Sequence, residues 1–312
     1  MIETERTIKN LMKFLQESGV DMSDNASINT AVERFSNLQE SSDSSLYGLT
    51  PSEQFMEKAE AALAEHQWDV ARTCARKARR LDPANVDAGI LELSLIEDEI
   101  EDGEYLQRIS KMIAEAEAVL KERGALSDIG ENAWYSLELR PYLRGRMAYA
   151  MKLNTVGCFS LAARELEALI ALSPMDNQGC RFYLCAIYAA LEDFDRFDAL
   201  CRQFEDEVKQ SPFFLLPKSI LEYKKGDVAA SLATFKKLCK MNEAWLELAE
   251  NEMALSFDEQ EAVESMSSYA MDSVEEARLC LSVNTPAIEM TSGYVDMVFD
   301  YAMKQGEKNG KR

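Results

Sequence analysis

The chain has 312 residues, of which 47% are apolar, so it is long enough to bury a substantial core. Lys and Arg number 34 against 55 Asp and Glu, which gives a formal net charge of −21. A surface with this charge repels nucleic-acid phosphates and therefore excludes nucleic acid as the main ligand. No stretch approaches the roughly 20 apolar residues of a membrane-spanning helix, and the N-terminus lacks a basic and apolar leader. We expect a cytoplasmic protein with no membrane partner.

Helical periodicity predicts the elements from the N-terminus onward. Residues 2–18 and 27–40 each predict a helix, and a Ser-rich acidic linker follows at 40–45. We assign residues 1–48 to an N-terminal helical arm that either stays mobile or caps the first repeat. Across residues 55–80, apolar positions recur at intervals of three, four or seven residues, and strand-like alternation is almost absent from the sequence. The 13 glycines and 7 prolines fall largely where helices should start or stop.

An internal period of helix pairs is the clearest pattern in the chain. Three segments share a template at offsets 0, 5, 9 and 12, and the first two add a proline at offset 17. A small residue at the second position lets two helices approach closely, and the proline ends the unit. A degraded pair at 178–191 and 194–204 has Phe197 at that position, and its repeat length of about 35 is close to the tetratricopeptide value. The matching positions are His66, Ala71, Ala75, Ala78 and Pro83; Gly157, Ala162, Leu166, Leu169 and Pro174; and Gly226, Ser231, Phe235 and Leu238.

These segments carry a family resemblance. Residues 54–83 resemble a tetratricopeptide repeat, and residues 146–174 resemble one more closely. The strings WYSLELRPYLRGR, at 134–146, and LSPMDNQGCRFY, at 172–183, are similar to a bacterial group of tetratricopeptide proteins distantly akin to the suppressor-of-tumorigenicity-seven family. In that group an Arg-Pro-Tyr helix start precedes an Asn-Asp-Asn-Gln-Gly turn, whereas this sequence departs by having Ser at position 173 and Met at position 175. The likeness runs more weakly over residues 51–304, and it implies the fold and a scaffold role without assigning an activity.

The period and the resemblance predict an all-α fold, an α-solenoid of about four tetratricopeptide-type helix pairs with extra helices at both ends. We assign the solenoid to residues 49–245 and C-terminal capping helices to residues 246–304. Within the capping region, residues 273–280 and 291–303 predict the last two helices. The polar, basic residues 305–312 are expected to form a disordered tail.

The sequence offers little for catalysis. Its one histidine, His66, supports neither a catalytic triad of its own nor a two-histidine metal site, and we expect it to be a turn residue within the first helix pair. Phosphate-binding glycine loops are absent from the sequence. Glu97 and Glu101 are spaced to share a helical face, as in di-metal sites, but without a Glu-x-x-His element they are expected to be solvated. We therefore predict no enzyme activity, no cofactor and no metal.

Other charged and cysteine-bearing segments are expected to serve structure. The basic residues of 72–80 end a helix, where cations complement the helix dipole, and no aromatic residues are interleaved as in a nucleic-acid surface. The acidic run at 97–104 fits either solubility, which we favour, or docking of a basic partner. Seven scattered cysteines form no Cys-x-x-Cys pair and are expected to be reduced.

A set of arginines is the best candidate for binding. Arg140 and Arg144 lie one turn apart at the start of a helix, and Arg181 occupies the corresponding region of the next unit. A guanidinium grips a carboxylate or phosphate through two hydrogen bonds, so these residues could hold an acidic peptide or a chain terminus. The alternative is a structural ion-pair network with Glu138, Glu165 or other acids. The candidate partner-binding residues are Arg140, Arg144, Met147, Met151, Arg181 and Phe182.

The predicted function is that of a protein–protein interaction scaffold or adaptor that binds a peptide or protein segment in a concave groove. In the tetratricopeptide arrangement the first helix of each pair lines that groove, which would place Arg144, Met147 and Met151 there, and methionines adapt to varied apolar partners. Two alternatives stay open. The chain is a self-assembling structural subunit, whose groove is filled by its own N-terminal arm or a second copy, or it is the recognition subunit of an enzyme complex.

Overall fold

The structure is a computed structural model that describes residues 3–21, 23–40, 49–127, 129, 131–266 and 268–309. These residues form sixteen α-helices, two short 3₁₀ helices and no β-strand, which confirms the predicted all-α fold class. The chain divides into two compact units, Met1–Lys152 with Leu172–Met175 and Leu153–Ala171 with Asp176–Arg312. Most of the predicted acidic linker, residues 41–45, lies outside the described residues.

The first unit contains a series of helices that pack on their neighbours in sequence. Helix α1 packs on α2, α3 on α4, α4 on α5, and α5 on α6. The last helix, α7, extends three residues beyond the unit boundary at Lys152. The bounds are α1 (Glu3–Glu17), α2 (Asn25–Glu40), α3 (Pro51–Ala64), α4 (Trp68–Leu81), α5 (Val86–Ser94), α6 (Asp102–Glu122) and α7 (Arg140–Thr155), with 3₁₀ helices at Glu97–Glu99 and Ala133–Tyr135.

The first predicted repeat is the pair formed by α3 and α4. Helix α3 begins at Pro51 because Thr50 and Glu53 form a capping box. The Glu53 N–H donates to the Thr50 hydroxyl at 3.2 Å, and the Thr50 N–H donates to the Glu53 carboxylate at 2.7 Å. His66 lies in the turn between the two helices with a φ of 58°, which is the turn role expected from the sequence.

Small buried residues bring α3 and α4 together. Ala71, Ala75 and Ala78 of α4 are fully buried, as is Ala59 of α3. Ala59 and Ala75 share one apolar cluster with Cys74. The small side chains of the repeat template therefore mark the face where the two helices meet.

The basic residues of α4 pair with acids on the elements that follow it. Arg79 and Arg80 do occupy the last turn of α4, as the dipole interpretation requires. Three ion pairs tie α4 to the first 3₁₀ helix, to α5 and to α6, a role that spacing alone did not reveal. The pairs are Arg72–Glu99 (3.6 Å), Arg76–Glu92 (2.8 Å) and Arg79–Glu115.

Glu97 and Glu101 do not share a helical face, contrary to expectation. Glu97 lies in the 3₁₀ helix, whereas Glu101 precedes α6, which begins at Asp102. Lys152 of α7 pairs with Glu97 at 2.8 Å and with Asp102 at 2.7 Å. The hydrogen bonds that the Lys152 ammonium donates to Asp102 and, to a lesser extent, to Glu97 raise the pKa of this group. Part of the acidic run is thus neutralised within the first unit.

The second unit is built around α9, α11 and α15, which pack on one another. Helix α10 packs on α9, α12 on α11, α14 on α15, and α13 on α16. The bounds are α8 (Phe159–Leu172), α9 (Cys180–Leu191), α10 (Phe194–Gln203), α11 (Pro212–Lys224), α12 (Val228–Met241), α13 (Ala244–Glu250), α14 (Phe257–Glu264), α15 (Val274–Glu289) and α16 (Ser292–Asn309).

A buried hydroxyl pair joins α11 to α12. Ser231, the small residue of the third repeat segment, meets Ser219, and both are fully buried. The Ser219 hydroxyl donates to the Ser231 carbonyl at 2.8 Å, and the Ser231 hydroxyl donates to the Ser219 carbonyl at 2.7 Å. The hydroxyl of Tyr294, on α16, donates to the Ser219 hydroxyl at 3.2 Å. Small polar residues thus allow close approach without leaving a hydroxyl unsatisfied.

The C-terminal helix is longer than predicted. It was expected to end at residue 303 and to be followed by a disordered tail from residue 305, but α16 continues to Asn309. Residues 305–309 are therefore helical, and residues 310–312 lie outside the described residues.

Gly145 of α7 should not tolerate a side chain, because a Cβ atom there would overlap Cγ1 of Val86 and lie 3.2 Å from its Cβ. Val86 is 1% exposed in the first turn of α5, so it cannot move aside easily. We expect Gly145→Ala to lower the free energy of unfolding by about 1–3 kcal/mol in urea denaturation followed by circular dichroism. Gly103→Ala is the matched control: open space surrounds Gly103 in α6, and alanine should raise stability by up to about 1 kcal/mol. Equal midpoints for the two variants would contradict the close contact.

Candidate partner-binding site

The guanidinium of Arg144 binds two carboxylates of the first unit at once. Towards α5, its Nε donates to Asp87 Oδ1 at 2.9 Å and its Nη2 donates to Asp87 Oδ2 at 2.6 Å. Towards α1, its Nη1 donates to Glu5 Oε1 at 2.7 Å and its Nη2 donates to Glu5 Oε2 at 3.1 Å. Both contacts are bidentate, which is the geometry that a planar guanidinium offers to carboxylates.

Arg140 lies beside Arg144 and shares the carboxylate of Glu5. Its Nη1 lies 3.3 Å from Glu5 Oε1, and its Nε donates to the backbone carbonyl of Trp134 at 2.9 Å. The guanidinium also stacks on the indole of Trp134, 5.0 Å from the ring centroid. Trp134 therefore orients Arg140, and Asp87 orients Arg144. We call the pair Arg140 and Arg144 the arginine clamp.

The arginine clamp is largely shielded from solvent. The side chains of Arg140 and Arg144 are 16% and 20% exposed, and the Glu5 side chain is 6% exposed. Burial lowers the pKa of the Arg144 guanidinium, but its hydrogen bonds to the carboxylates of Asp87 and Glu5 outweigh burial, so the pKa is raised overall. Removing either arginine would leave a nearly buried carboxylate with fewer partners, which is costly.

The partners of the clamp differ from those proposed from sequence. Glu138 was one candidate, but it pairs with Arg123 at 3.3 Å. Glu5 and Asp87, which complete the site, were missed, because they lie 139 and 57 residues away from Arg144 in the chain. Their only sequence signal is that each is an acid in the first turns of a helix, a position that acids favour for other reasons.

The two candidate methionines follow the clamp along α7. Met147 and Met151 lie three and seven residues after Arg144, so they continue the face of the helix that carries the arginines. Both side chains are half-buried. The structure therefore brings four of the six candidate residues onto one helix, and their role in binding stays a prediction.

Arg181 and Phe182 belong to the second unit. The Arg181 guanidinium donates to Asp176 Oδ2 and to Glu207 Oε2, each at 2.9 Å. It lies over two rings, 4.2 Å from the centroid of Phe182 and 5.3 Å from that of Phe204. Burial lowers the pKa of Arg181, and the bonds to Asp176 and Glu207 raise it above its ordinary value. Arg181 is therefore held between aromatic rings and paired with acids of its own unit.

An open cavity of about 540 Å³ adjoins Arg181. Its walls combine aromatic, polar and aliphatic side chains, and the ring centroids of Phe182 and Phe213 are 4.6 Å apart. Other lining residues include Asn177, Tyr183 and Tyr269. The cavity offers aromatic surfaces for stacking together with polar groups.

The turn before α9 is built on Asp176. Asp176 is 4% exposed and has a φ of 48°, and its carboxylate accepts the backbone N–H groups of Cys180 at 2.7 Å and of Arg181 at 2.9 Å. Gly179 also has a positive φ, of 71°. The Asn-Gln-Gly part of the family-like string is thus a turn that starts α9 with a carboxylate cap.

Ser173 and Met175, the two positions at which the second family-like string departs from the group, contact residues at the start of the first string or just before it. The Ser173 hydroxyl donates to Asn132 Oδ1 at 2.7 Å, and the Tyr135 hydroxyl lies 2.9 Å from Met175 Sδ. Ser173 and Asn132 are both buried. Both residues that differ from the group therefore have specific side-chain contacts near the start of the string that contains Arg-Pro-Tyr.

The described residues contain no group of three or more His, Cys, Asp or Glu side chains placed to hold a metal ion. In the same part of the chain the seven cysteines form no disulfide bond, and burial raises the pKa of the Cys185 and Cys280 thiols well above the ordinary value. No described helix has both the length and the apolar character needed to cross a bilayer.

No protein-family model matches the sequence, and no curated protein matches it. Among solved structures, the chain is similar to the crystal structure of MamA protein, with 14% sequence identity and a TM-score of 0.42. That match covers 66% of this chain and 97% of the other. A likeness this distant assigns neither a family nor a function.

Arg144→Ala should lower the free energy of unfolding by about 2–4 kcal/mol, because it leaves Glu5 and Asp87 without their bidentate partner in a partly dry site. Arg108→Ala is the control, since Arg108 forms an exposed pair with Glu104 on one helix and its loss should cost less than about 0.5 kcal/mol. Urea denaturation of both variants measures the difference. Equal losses would show that the clamp adds no more than a surface pair.

Asp176→Ala should destabilise the second unit by about 2–4 kcal/mol, because the change removes the cap of α9 and the partner of Arg181 and leaves alanine at a positive φ. Asp176→Asn should cost less, since asparagine tolerates this backbone conformation and keeps one acceptor oxygen. Asp198→Ala, at an exposed position of α10, is the control and should leave the unfolding midpoint unchanged. Thermal unfolding separates the three variants.

Proposed function

We propose that the protein is an interaction scaffold of the tetratricopeptide type that binds a segment of a partner protein through a carboxylate held by the arginine clamp. The supporting observation is that the clamp already holds a carboxylate. Glu5, which comes from a separate helix, lies against the outer edge of Arg144 with both oxygens engaged. A partner carboxylate would find the same donors.

The clamp is suited to recognition because its donors are set in advance. Asp87 fixes one edge of the Arg144 guanidinium, and the Trp134 carbonyl fixes Arg140. Side chains that are already oriented lose little conformational entropy when a ligand binds. Asp87 also limits the charge of the site, so a single carboxylate is the ligand that best balances two arginines and one acid.

Recognition by a helical-repeat scaffold needs only shape and a few oriented contacts, and it requires no reacting group. Met147 and Met151, on the same face of α7, would supply adaptable apolar contact beside the carboxylate. The open cavity at Arg181 is a second place where a partner could be held. Self-association and a role in an enzyme complex stay as predictions that the same experiment addresses.

The test is affinity capture of the tagged full chain from its native extract, with identification of bound proteins by mass spectrometry. The wild-type chain and an Arg108→Ala control should retain the same stoichiometric partner, and an Arg140→Ala/Arg144→Ala variant should lose it. Circular dichroism of the double variant confirms that its helices persist. A partner retained equally by all three chains would place binding away from the clamp, and recovery of only the chain itself would favour self-association.

A further inference from the structure

The apolar side of α1 packs against α2, and we call these two helices the N-terminal hairpin. Phe14 and Leu15 of α1 form a buried cluster with Ala31 and Phe35 of α2, and the rings of Phe14 and Phe35 have centroids 5.6 Å apart. The partly buried side chains packed against this cluster, Leu11 and Val20, also belong to the hairpin segment. The hairpin thus carries a small core of its own, within the described part of the chain.

Helix α1 forms ion pairs with α7 and α3. Glu5 meets the arginine clamp on α7, Arg6 pairs with Glu57 of α3, and Lys9 pairs with Glu53 of α3 at 2.6 Å. A small cavity, of about 30 Å³, remains beside Arg6 and Glu57. Charged contacts beside a cavity indicate attachment by complementary charge more than by close packing.

The surface beneath α1 therefore has a defined charge pattern. The clamp presents two guanidinium groups on α7, and Glu53 and Glu57 present two carboxylates on α3. The matching residues of α1 lie at positions 5, 6 and 9, which a helix places within about one turn of each other. The pair of Glu5 with Arg144 is largely buried. The side chains of Arg6 and Glu57 are 35% and 45% exposed, so that pair contributes little to the attachment of α1.

We propose that this surface is the binding site for a helix of a partner protein that carries a Glu and, four residues later, a Lys, and that α1 is the chain's own occupant of the site. The partner helix displaces α1 and places its Glu in the arginine clamp and its Lys against Glu53. The inference rests on the proposed function, because both use Arg144. It adds the chemical class of the partner, and it predicts that the resident α1 weakens binding of such a helix to the intact chain.

Displacement follows from the competition between a tethered and a free ligand. An intramolecular helix acts at an effective concentration in the millimolar range, so an identical helix added in solution binds the wild-type chain poorly. Weakening the resident helix without altering the surface beneath it should therefore expose the site. Glu5→Gln does this, since it removes the one negative charge that α1 places in the clamp and leaves the clamp, Asp87 and Glu53 intact.

The experiment uses the full chain and a fluorescent peptide of residues 3–20, stapled between positions 12 and 16, which are both exposed, so that it stays helical. Fluorescence anisotropy should show that Glu5→Gln chain binds the peptide at least roughly tenfold more tightly than wild type does. Adding Arg144→Ala to the Glu5→Gln chain should abolish that gain. Glu17→Gln is the matched control, because it removes the same charge from an exposed position of α1 and should bind like wild type.

Hydrogen exchange across residues 3–17 of the chain supplies an independent readout. Peptide binding to the Glu5→Gln chain should speed exchange in α1, since the displaced helix loses its docking contacts. Equal affinity for wild type and Glu5→Gln, or an equal gain for Glu17→Gln, would overturn the inference. So would a bound peptide that leaves exchange in α1 unchanged. In each case a partner captured through the clamp would still support the proposed function, so the two ideas fail separately.

Discussion

The two-sided grip of Arg144 is the interaction on which the first unit depends. One edge of its guanidinium ties α7 to α5 through Asp87, and the other edge ties α7 to α1 through Glu5. An arginine suits this position because its planar fork makes two bonds at each edge, which a lysine ammonium cannot do. Because the site is largely shielded from water, both carboxylates depend on Arg144, with Arg140 as a second partner of Glu5, and the positions of three helices are coupled through it.

The first unit combines two modes of attachment with different physical character. Helices α3 and α4 meet through buried alanines, and that contact excludes water and is insensitive to salt. The N-terminal hairpin has a small apolar core but meets α3 and α7 through ion pairs, which salt screens where they are exposed. We expect the hairpin to open at a lower free energy than the alanine-packed pair does, because less apolar surface holds it in place.

The sequence predicted the pairs α3/α4, α9/α10 and α11/α12 because the signals are local. The alanines of α4 and Ser231 of α12 must be small because two helices pack closely there. These small residues recur at fixed offsets, which can be recognised in the sequence. No bounds were predicted for the long helix α6 from sequence, although Glu97 and Glu101 were expected to share a helical face. Arg140 and Arg144 were recognised by type and spacing, but Glu5 and Asp87 could not be, because their contact depends on how distant helices pack. Contacts between residues far apart in the chain produce no periodic pattern in the sequence.

The capping box of α3 places two unrelated requirements on one carboxylate. One oxygen of Glu53 accepts the Thr50 N–H and so fixes where α3 begins, while the other accepts from Lys9 and so helps to seat the hairpin. Glutamine would satisfy the first requirement, because an amide oxygen accepts the same bond, but it would fail the second, which needs a charge. Glu53 thus meets two requirements at once, although it looks like an ordinary surface glutamate in the first turn of a helix.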